Sequence, residues 1–250
     1  MELRQILKAY EDGEDDEPSD QQQGLPQPPL SKTSYGKKMI PLTKNFEKVI
    51  KNNNFLELIN TRTTKRKYIQ EAMTLEELAF LLWSTQGVKQ VLGNNKATMR
   101  TVPSAGARHP LETYVLVNQV DGLTRGLYHY LALEHKLEFI KEFDNQSDRI
   151  IEAAWGQAFL GNAAVDFIWT AVPYRCEWRY SMNAHKYILL DAGHVCQNLY
   201  LASEAIGCGT CAIGAYEQNL TDALLDLDSK PSYEEDNEFV VYLASVGKVE

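Results

Sequence analysis

The chain has 250 residues, 44% of them hydrophobic and 10% aromatic, which is enough to bury the core of one large or two small domains. The formal net charge of −9 argues against nucleic acid as a general partner, because binding phosphates requires a positive face. No run of 18 apolar residues occurs, so we expect no membrane span. The N-terminus "MELRQILKAYEDGEDDEPSD" lacks the order of a secretory signal, which favours a cytoplasmic location.

Residues 1–45 are predicted to form an extended acidic and proline-rich arm, and residues 46–250 the globular domain. The stretch "EDGEDDEPSDQQQGLPQPPLSK" is rich in Asp, Glu, Gln and Pro, and it can bury little apolar area. Scattered apolar residues suggest that the arm wraps a partner subunit. The anchors would be Leu25, Pro28, Pro29, Leu30, Tyr35 and Ile40.

The first half of the domain predicts two helices followed by three strands. A helix is expected over 45–62, and a second over 74–87, where Thr74 and Glu77 form a capping box and Gly87 stops the helix. The β-branched stretch "ETYVLVNQV" predicts a strand over 112–120. Residues 126–143 predict two strands that meet around Glu134 and His135.

The second half is dominated by one long apolar helix. A helix over 147–157 and an apolar strand over 166–173, buried on both faces, come first. Residues 183–206 then predict a helix roughly 35 Å long, apolar on most faces and therefore buried in a core or a subunit interface. Gly207 and Gly209 would end it. A short helix over 219–227 and a strand over 238–248 complete an α+β fold with mainly antiparallel pairing.

The cysteines permit two interpretations of "CGTC", residues 208–211. A redox dithiol or half a zinc site is one, but no second C-x-x-C is present to complete a four-cysteine zinc site. The motif also follows an apolar helix, whereas a redox dithiol usually opens one. We therefore favour two small buried side chains, Cys208 and Cys211, that flank a glycine turn.

Two stretches in the first half of the domain suggest ligand binding. In "RTTKRKY", residues 62–68, arginines and hydroxyls alternate as phosphate binding requires, although a solvated basic stretch is the simpler alternative. The small residues of "PSAGARH", residues 103–109, would let the backbone approach a planar ring. A plain tight turn explains them equally well.

Two further stretches lie in the second half. The glycines of "GCGTCAIGAY", residues 207–216, would free backbone amides for a heteroaromatic edge, or would only stop the helix and connect it to a strand. The long helix carries polar groups that need partners when buried, among them Asp191 and His194. His185 and His194 are nine residues apart and do not share a face, so a metal site is not expected.

Taken in order, these stretches resemble the FMN-dependent nitroreductase superfamily, most closely its SagB-type branch, which includes azoline dehydrogenases. The matching signatures span about residues 60–248. They are "RTTKRKY", "LLWSTQG", "RTVPSAGARHPLETYVLV", "GLYHY", "LLDAGHVCQNLYLASEAIGCG", "AIGAY" and "VGK". The resemblance implies an antiparallel central sheet flanked by helices, and a homodimer formed through the long central helix, with FMN sites at the subunit interface.

The resemblance also implies which residues contact FMN. Residues of the stretch 62–68 and a C-terminal lysine would hold the phosphate and ribityl chain. Residues of the stretch 103–109 would line the flavin from the other subunit, and residues of the stretch 207–216 would place amides near the flavin N5 edge. Thr64 replaces the usual serine, and Thr63 stands where an arginine or histidine is common. The matching positions are Arg62, Thr63, Thr64 and Arg66; Pro103, Ser104, Ala105, Gly106 and Arg108; Ala212, Ile213, Gly214 and Ala215; and Lys248.

The implied activity is hydride transfer between the flavin and a small or peptide-borne substrate, with NAD(P)H as a candidate electron donor. Within the azoline-dehydrogenase branch, a Lys-Tyr pair acts as the base, which here corresponds to Lys186 and Tyr187. Alternatively, Lys186 extends to solvent and Tyr187 packs. The other hypotheses are an azoline dehydrogenase that requires a cyclodehydratase partner, and a non-catalytic flavin-binding or dithiol protein.

Overall fold

A computed structural model describes residues 17–227 and 237–250, together with Arg4, Leu7 and Lys8. Within this part of the chain, the six α-helices are Phe55–Thr61 (α1), Leu75–Gln86 (α2), Gln146–Ala153 (α3), Tyr174–Tyr180 (α4), Ala184–Ala205 (α5) and Gln218–Leu224 (α6). The strands are Met39–Pro41 (β1), Val88–Leu92 (β2), Ala97–Arg100 (β3), Leu111–Val117 (β4), Gly126–Leu131 (β5), Lys136–Lys141 (β6), Val165–Ala171 (β7), Cys208–Ile213 (β8) and Phe239–Lys248 (β9).

The central element is a seven-stranded sheet in the order β1-β6-β5-β4-β7-β9-β8. Every neighbouring pair in this sheet is antiparallel. β2 and β3 form a separate hairpin. The predicted α+β class with an antiparallel central sheet is therefore confirmed, whereas β1 and the β2–β3 hairpin were not predicted.

Helices cover both faces of the large sheet. On one face, Leu199 of α5 shares a core with Phe167 of β7. On the other face, Ile150 of α3 and Leu224 of α6 pack with Ile168, the next residue along β7. Successive side chains of a strand point to opposite faces, so β7 is buried on both sides, as its apolar sequence predicted.

Helix α2 begins and ends at the predicted residues. The Thr74 side chain accepts from the Glu77 amide at 3.2 Å, and the Glu77 carboxylate accepts from the Thr74 amide at 2.9 Å. At the other end, a Cβ on Gly87 would lie 2.5 Å from atoms of Trp83, so only glycine fits there. The predicted capping box and the predicted helix stop at Gly87 are both confirmed.

The predicted long helix is confirmed as the 22-residue α5. One side, including Ile188, Val195 and Leu199, is buried in the core. The opposite side exposes Leu189 by 55% and Leu190 by 51%, and nothing lies within 4 Å of a Cβ built on Gly193. The helix therefore presents a partly apolar stripe that this chain does not cover.

The prediction of a helix over 45–62 is wrong for the first half of that range. Helix α1 begins only at Phe55, because the Asn54 side chain accepts from the Glu57 amide at 3.3 Å and caps it there. The amides of Lys51 and Asn52 instead donate to the carbonyl of Ala205 at 2.8 and 3.0 Å. The asparagine run favours such turns over a helix interior.

The glycine turn predicted after α5 is also corrected. Gly207, with φ of 69°, ends the helix, but Gly209 lies inside β8 and pairs with Gly247 of β9. The stretch from Cys208 to Ile213 is therefore an edge strand and not a loop. Pairing with β9 satisfies its backbone, and this tertiary contact overrides the glycine signal.

Cys208 and Cys211 are both buried, as the simpler interpretation predicted. Three residues apart on a strand, they point to opposite faces of the sheet. Burial raises the pKa of Cys208 to about 12. Among the described residues, no group of His, Cys, Asp and Glu is arranged to hold a metal ion. These observations speak against a reactive dithiol.

From residue 17 onward, the predicted arm lies along its own chain, while residues 10–16 fall outside the described ranges. Gln21 donates its amide to the carbonyl of Trp178 at 2.8 Å, and the indole of Trp178 donates to the carbonyl of Leu25 at 3.0 Å. Pro28 and Leu30 are buried against this chain, so they are not available as anchors for a partner subunit.

None of the helices in the described ranges has the combination of length and hydrophobicity that crossing a membrane requires.

Candidate functional site

The basic stretch 62–68 lies along the outer edge of β8. Thr64 forms a parallel bridge with Thr210, and the Lys65 amide donates to the Thr210 carbonyl at 3.0 Å. β8 is the last strand of the sheet, so its outer edge has unpaired backbone groups that can accept this segment. A Cβ on Gly209 would lie 2.6 Å from the Lys65 Cβ, which explains the glycine at that position.

Tyr200 of α5 connects this segment to β8. Its hydroxyl accepts from the Ala212 amide at 2.9 Å and lies 3.2 Å from the Thr64 hydroxyl. The Arg62 guanidinium lies 5.3 Å from the centre of the Tyr200 ring. We call Arg62, Thr64, Tyr200 and Ala212 the phosphate-side cluster. Tyr200 was not predicted as a site residue. A tyrosine hydroxyl on a largely buried helix needs a partner, and this was the signal that could have identified it.

The four backbone amides predicted to contact a ligand, those of residues 212–215, are not equivalent. The Ala212 amide is taken by Tyr200, and Ile213 pairs with Leu243 of β9. Gly214 and Ala215 are exposed, and their amides donate to no acceptor among the described residues. Because alternate residues of a strand point the same way, the Gly214 amide continues on the side of the Ala212 amide. It is therefore free for a ligand beside the phosphate-side cluster.

The predicted cations differ in their availability. Arg62 is partly exposed and Arg66 is exposed, and residues 64–69 line a cavity of about 430 Å³ together with Val249 and Glu250. Lys248 is buried, and its Nζ lies 2.5 Å from Glu77 Oε1. Its charge is therefore neutralised within the fold, whereas neither arginine forms an ion pair with a carboxylate of the described residues, although Arg66 contacts the Cys211 thiol.

The stretch Pro103–Arg108 folds into a tight turn. The Ser104 carbonyl accepts from the Ala107 amide at 3.0 Å, and the Ser104 hydroxyl accepts from the His109 amide at 2.9 Å. Gly106 has φ of 55°, and a Cβ there would lie 2.5 Å from the Tyr180 hydroxyl. The small residues thus allow the turn to pack closely against α4.

We expect Gly106→Ala to lower the free energy of unfolding by about 2–4 kcal/mol, because it combines a left-handed φ with a clash against Tyr180. Gly122→Ala is the matched control, since Gly122 has φ of 78° and no atom within 4 Å of the added Cβ. The control should cost about 1–2 kcal/mol. Urea unfolding measures both variants, and an equal cost would show that the contact with α4 contributes nothing.

Arg108 is buried beside this turn, with one nitrogen unused. Its Nε donates to the Arg175 carbonyl at 2.9 Å, and its guanidinium lies 4.9 Å from the centre of the Trp178 ring. Its Nη2 has no hydrogen-bond partner among the described residues. Burial and the neighbouring Arg179 lower the pKa of Arg108. An unpaired buried donor is costly, and because Arg108 is only 3% exposed, this atom faces the interior of the protein and not the surface.

Lys186 and Tyr187 lie in the first turn of α5, near the same turn of chain. Both side chains are partly buried, and the Tyr187 ring packs edge-on at 4.9 Å against Tyr180, the neighbour of Gly106. We call Ser104, Gly106, Arg108 and Tyr187 the loop cluster.

Several of the predicted site residues therefore lie in two clusters, each of which includes one tyrosine of α5. Tyr187 belongs to the loop cluster and Tyr200 to the phosphate-side cluster, and the step of thirteen residues from one to the other spans about 20 Å of α5. Gly193 lies near the midpoint, in the uncovered stripe.

Comparison with known sequences gives the family. The sequence model of the nitroreductase family matches residues 59–248. Protein MJ1384 of Methanocaldococcus jannaschii, named as a nitroreductase, is 32% identical over 175 residues, which cover 70% of this chain and 85% of MJ1384. The trifolitoxin-processing protein TfxB of Rhizobium leguminosarum bv. trifolii is 27% identical over 136 residues, which cover 52% of this chain and 36% of TfxB.

Solved structures share the fold. A Ralstonia eutropha protein named as a nitroreductase superposes with a TM-score of 0.68 at 22% identity, covering 90% of this chain and 95% of that one. The Escherichia coli microcin synthetase complex McbBCD, with truncated pro-MccB17 bound, contains a chain that matches with a TM-score of 0.61 at 18% identity. The match covers 86% of this chain and 79% of the other.

The antiparallel sheet with a long helix across it agrees with these structures, and the sequence match extends from the basic stretch at the edge of β8 to the end of β9. The chain therefore belongs to the nitroreductase family of oxidoreductases.

Proposed function

We propose that this chain is a cytoplasmic, FMN-dependent oxidoreductase of the SagB type that works as a homodimer through α5. The observation that carries the proposal is that two clusters of polar and cationic groups each include one tyrosine of α5, about 20 Å apart along the helix, with the uncovered stripe between them. Two antiparallel copies of α5 that cross near Gly193 would bring the loop cluster of each copy beside the phosphate-side cluster of the other.

The chemistry of the donors fits FMN. Arg62 and Arg66 supply exposed cations for the phosphate, and Thr64 supplies a hydroxyl. Thr63 adds a second exposed hydroxyl, and Lys248 contributes less because Glu77 already neutralises it.

The remaining donors fit the flavin ring. The free Gly214 and Ala215 amides, next to Ala212 and Ile213, suit its polar edge. The turn Pro103–Gly106 offers close backbone approach, and the buried Arg108 beside it would act on the flavin through its positive charge and not through a direct bond from Nη2. When bound, FMN supplies reversible hydride transfer at N5, while the chain binds and orients the reactants. The proposed substrate is small or carried on a peptide, with NAD(P)H as the candidate electron donor.

The second candidate function is azoline dehydrogenation with a cyclodehydratase partner. The observation that favours it is the location of Lys186 and Tyr187, partly buried at the loop cluster, where a base would be needed. The similarity to TfxB and to the McbBCD complex supports it, since the first is a trifolitoxin-processing protein and the second is a microcin synthetase. The buried Cys208 and Cys211 do not support a dithiol function.

Titration of the purified protein with FMN tests the main proposal. We expect yellow protein with one FMN per chain, and about 10- to 100-fold weaker binding in Arg62→Gln and in Arg66→Gln, because each removes a charge-assisted bond to the phosphate. Lys89→Gln, on the exposed part of β2, is the matched control and should bind like the wild type. Protein that stays colourless and takes up no FMN would refute the proposal.

A further inference from the structure

The arm segment 19–25 is folded into a turn and fastened to α4. Within the segment, the amides of residues 23 and 25 donate to the carbonyls of residues 19 and 20 at 2.9 Å, so it holds its own shape. The Gln21 amide donates to the Trp178 carbonyl at 2.8 Å, and the Trp178 indole donates to the Leu25 carbonyl at 3.0 Å. Trp178, only 6% exposed, is therefore bound to the arm through both its backbone and its side chain.

Two further contacts attach the arm to the same helix. Asp20 Oδ2 accepts from the Tyr174 hydroxyl at 3.0 Å. The Lys32 amide donates to Glu112 Oε1 at 2.7 Å, and this carboxylate oxygen also lies 2.5 Å from Arg175 Nη1. The arm is thus connected to three residues of the seven-residue α4.

Two of these α4 residues also hold the turn Pro103–Arg108. Arg108 Nε donates to the Arg175 carbonyl at 2.9 Å, and the Arg108 guanidinium lies 4.9 Å from the centre of the Trp178 ring. Arg175 and Trp178 are both buried. Because a close-packed interior transmits displacements, a shift of these two residues moves the turn together with the arm.

We infer that the arm is a strap that fixes α4 and thereby holds the turn Pro103–Arg108 in the conformation that receives FMN, with Trp178 as the positioning residue between them. This inference rests on the proposed function. In the proposed dimer, the loop cluster of one copy lies beside the phosphate-side cluster of the other. The arm of each copy therefore controls the cofactor whose phosphate its partner anchors. By linkage, an arm that favours FMN binding is itself stabilised when FMN binds.

The first measurement is amide hydrogen exchange in the cofactor-free protein. Trp178→Phe keeps an aromatic ring beside Arg108 and removes the indole donor to Leu25. We expect the amides of Ala107 and Arg108, which close the turn, to exchange about tenfold faster in this variant. The Leu123 amide, in the turn between β4 and β5 at the other end of the sheet, should exchange at the wild-type rate.

The second measurement is the dissociation constant of FMN, for which Trp178→Phe should be about tenfold weaker than the wild type. Asp20→Ala removes the acceptor of the Tyr174 hydroxyl at a partly exposed position of the arm. It should change exchange and affinity in the same direction, so the result does not depend on replacing a buried side chain. Trp155→Phe is the matched control and should behave like the wild type, because Trp155 is 68% exposed and lies outside the arm and α4.

The third measurement tests the reverse direction of the coupling. Saturating FMN should slow exchange of the Gln21 amide in the wild type, and should slow it less in Trp178→Phe, in which the arm is detached from the indole. Unaltered exchange of the turn in both variants, unaltered FMN affinity in both, or a Gln21 amide that FMN does not protect would each overturn the inference. A wild type that binds no FMN would instead refute the proposed function, and exchange of the turn would still decide whether the arm holds it.

Discussion

Glu112→Gln is expected to lower the free energy of unfolding by about 3–5 kcal/mol, because it leaves a buried cation without its counter-charge. The carboxylate of Glu112 is buried on β4. Its Oε1 lies 2.5 Å from Arg175 Nη1 and accepts from the Lys32 amide at 2.7 Å, while its Oε2 lies 3.0 Å from His129 Nε2. Glu112 thus connects the arm, β5 and α4. Urea unfolding of the full chain measures the loss.

Glu134→Gln is the matched control, because Glu134 is exposed at the turn between β5 and β6 and should change stability by less than about 0.5 kcal/mol. The pH dependence gives an independent check. Burial alone would raise the pKa of Glu112, but Arg175 and His129 outweigh it and hold the pKa well below its usual value. The stabilisation is therefore complete above the unfolded carboxyl pKa and fades in acid. Equal losses in both variants would contradict this role of Glu112.

Lys186→Met is expected to slow azoline oxidation by about 10²- to 10⁴-fold, the usual contribution of a positioned general base. Oxidation of an azoline to an azole removes one proton and one hydride from the ring, and the Lys186 amine is the proposed proton acceptor. Methionine keeps most of the apolar stem and removes the amine. Anaerobic bleaching of the flavin by a peptide that carries a thiazoline measures the rate.

The control for this prediction is Lys136→Met on β6, away from α5, which should behave like the wild type. FMN affinity should change less than threefold in both variants, since Lys186 is not among the proposed phosphate or ring contacts. If Lys186→Met oxidises the thiazoline at the wild-type rate, the lysine is not the base. If the wild type also fails to oxidise it, the azoline alternative is refuted and the general oxidoreductase proposal is unaffected.

Where local signals agreed with the tertiary fold, the sequence predicted the structure well. The capping box at Thr74 and Glu77 fixed the start of α2. The continuous apolar run of β7 correctly predicted burial on both faces. For α5, the length and the apolar composition of the stretch were sufficient to predict a long buried helix. In each case, the information lay within a few consecutive residues.

The predictions failed where a distant partner decides the structure. Gly209 resembles a helix stop, yet pairing with β9 makes it part of a strand. β1 is three residues long and exists because β6 offers an edge to pair with. The turn between β2 and β3 did carry a local signal in its residues, which the prediction did not use. These residues, Gly93, Asn94 and Asn95, all adopt left-handed φ values.

The sequence predicted which stretches form the candidate site, but not which of their residues contact one another. The pairing of Arg62 and Thr64 with Tyr200 depends on the position of β8, and the close packing of Gly106 depends on how the turn Pro103–Arg108 meets Tyr180 of α4. Neither relation is visible in residue spacing.

One margin of the seven-stranded sheet is the three-residue strand β1, and the other, β8, is bridged by the segment Thr64–Lys65 of the same chain. A short edge strand and a covered edge both disfavour the addition of strands from another molecule. At β8, the covering piece is also the proposed anchor for the cofactor phosphate. Protein depleted of its cofactor would then be the form most prone to precipitate, and supplying flavin during expression and storage would protect its solubility.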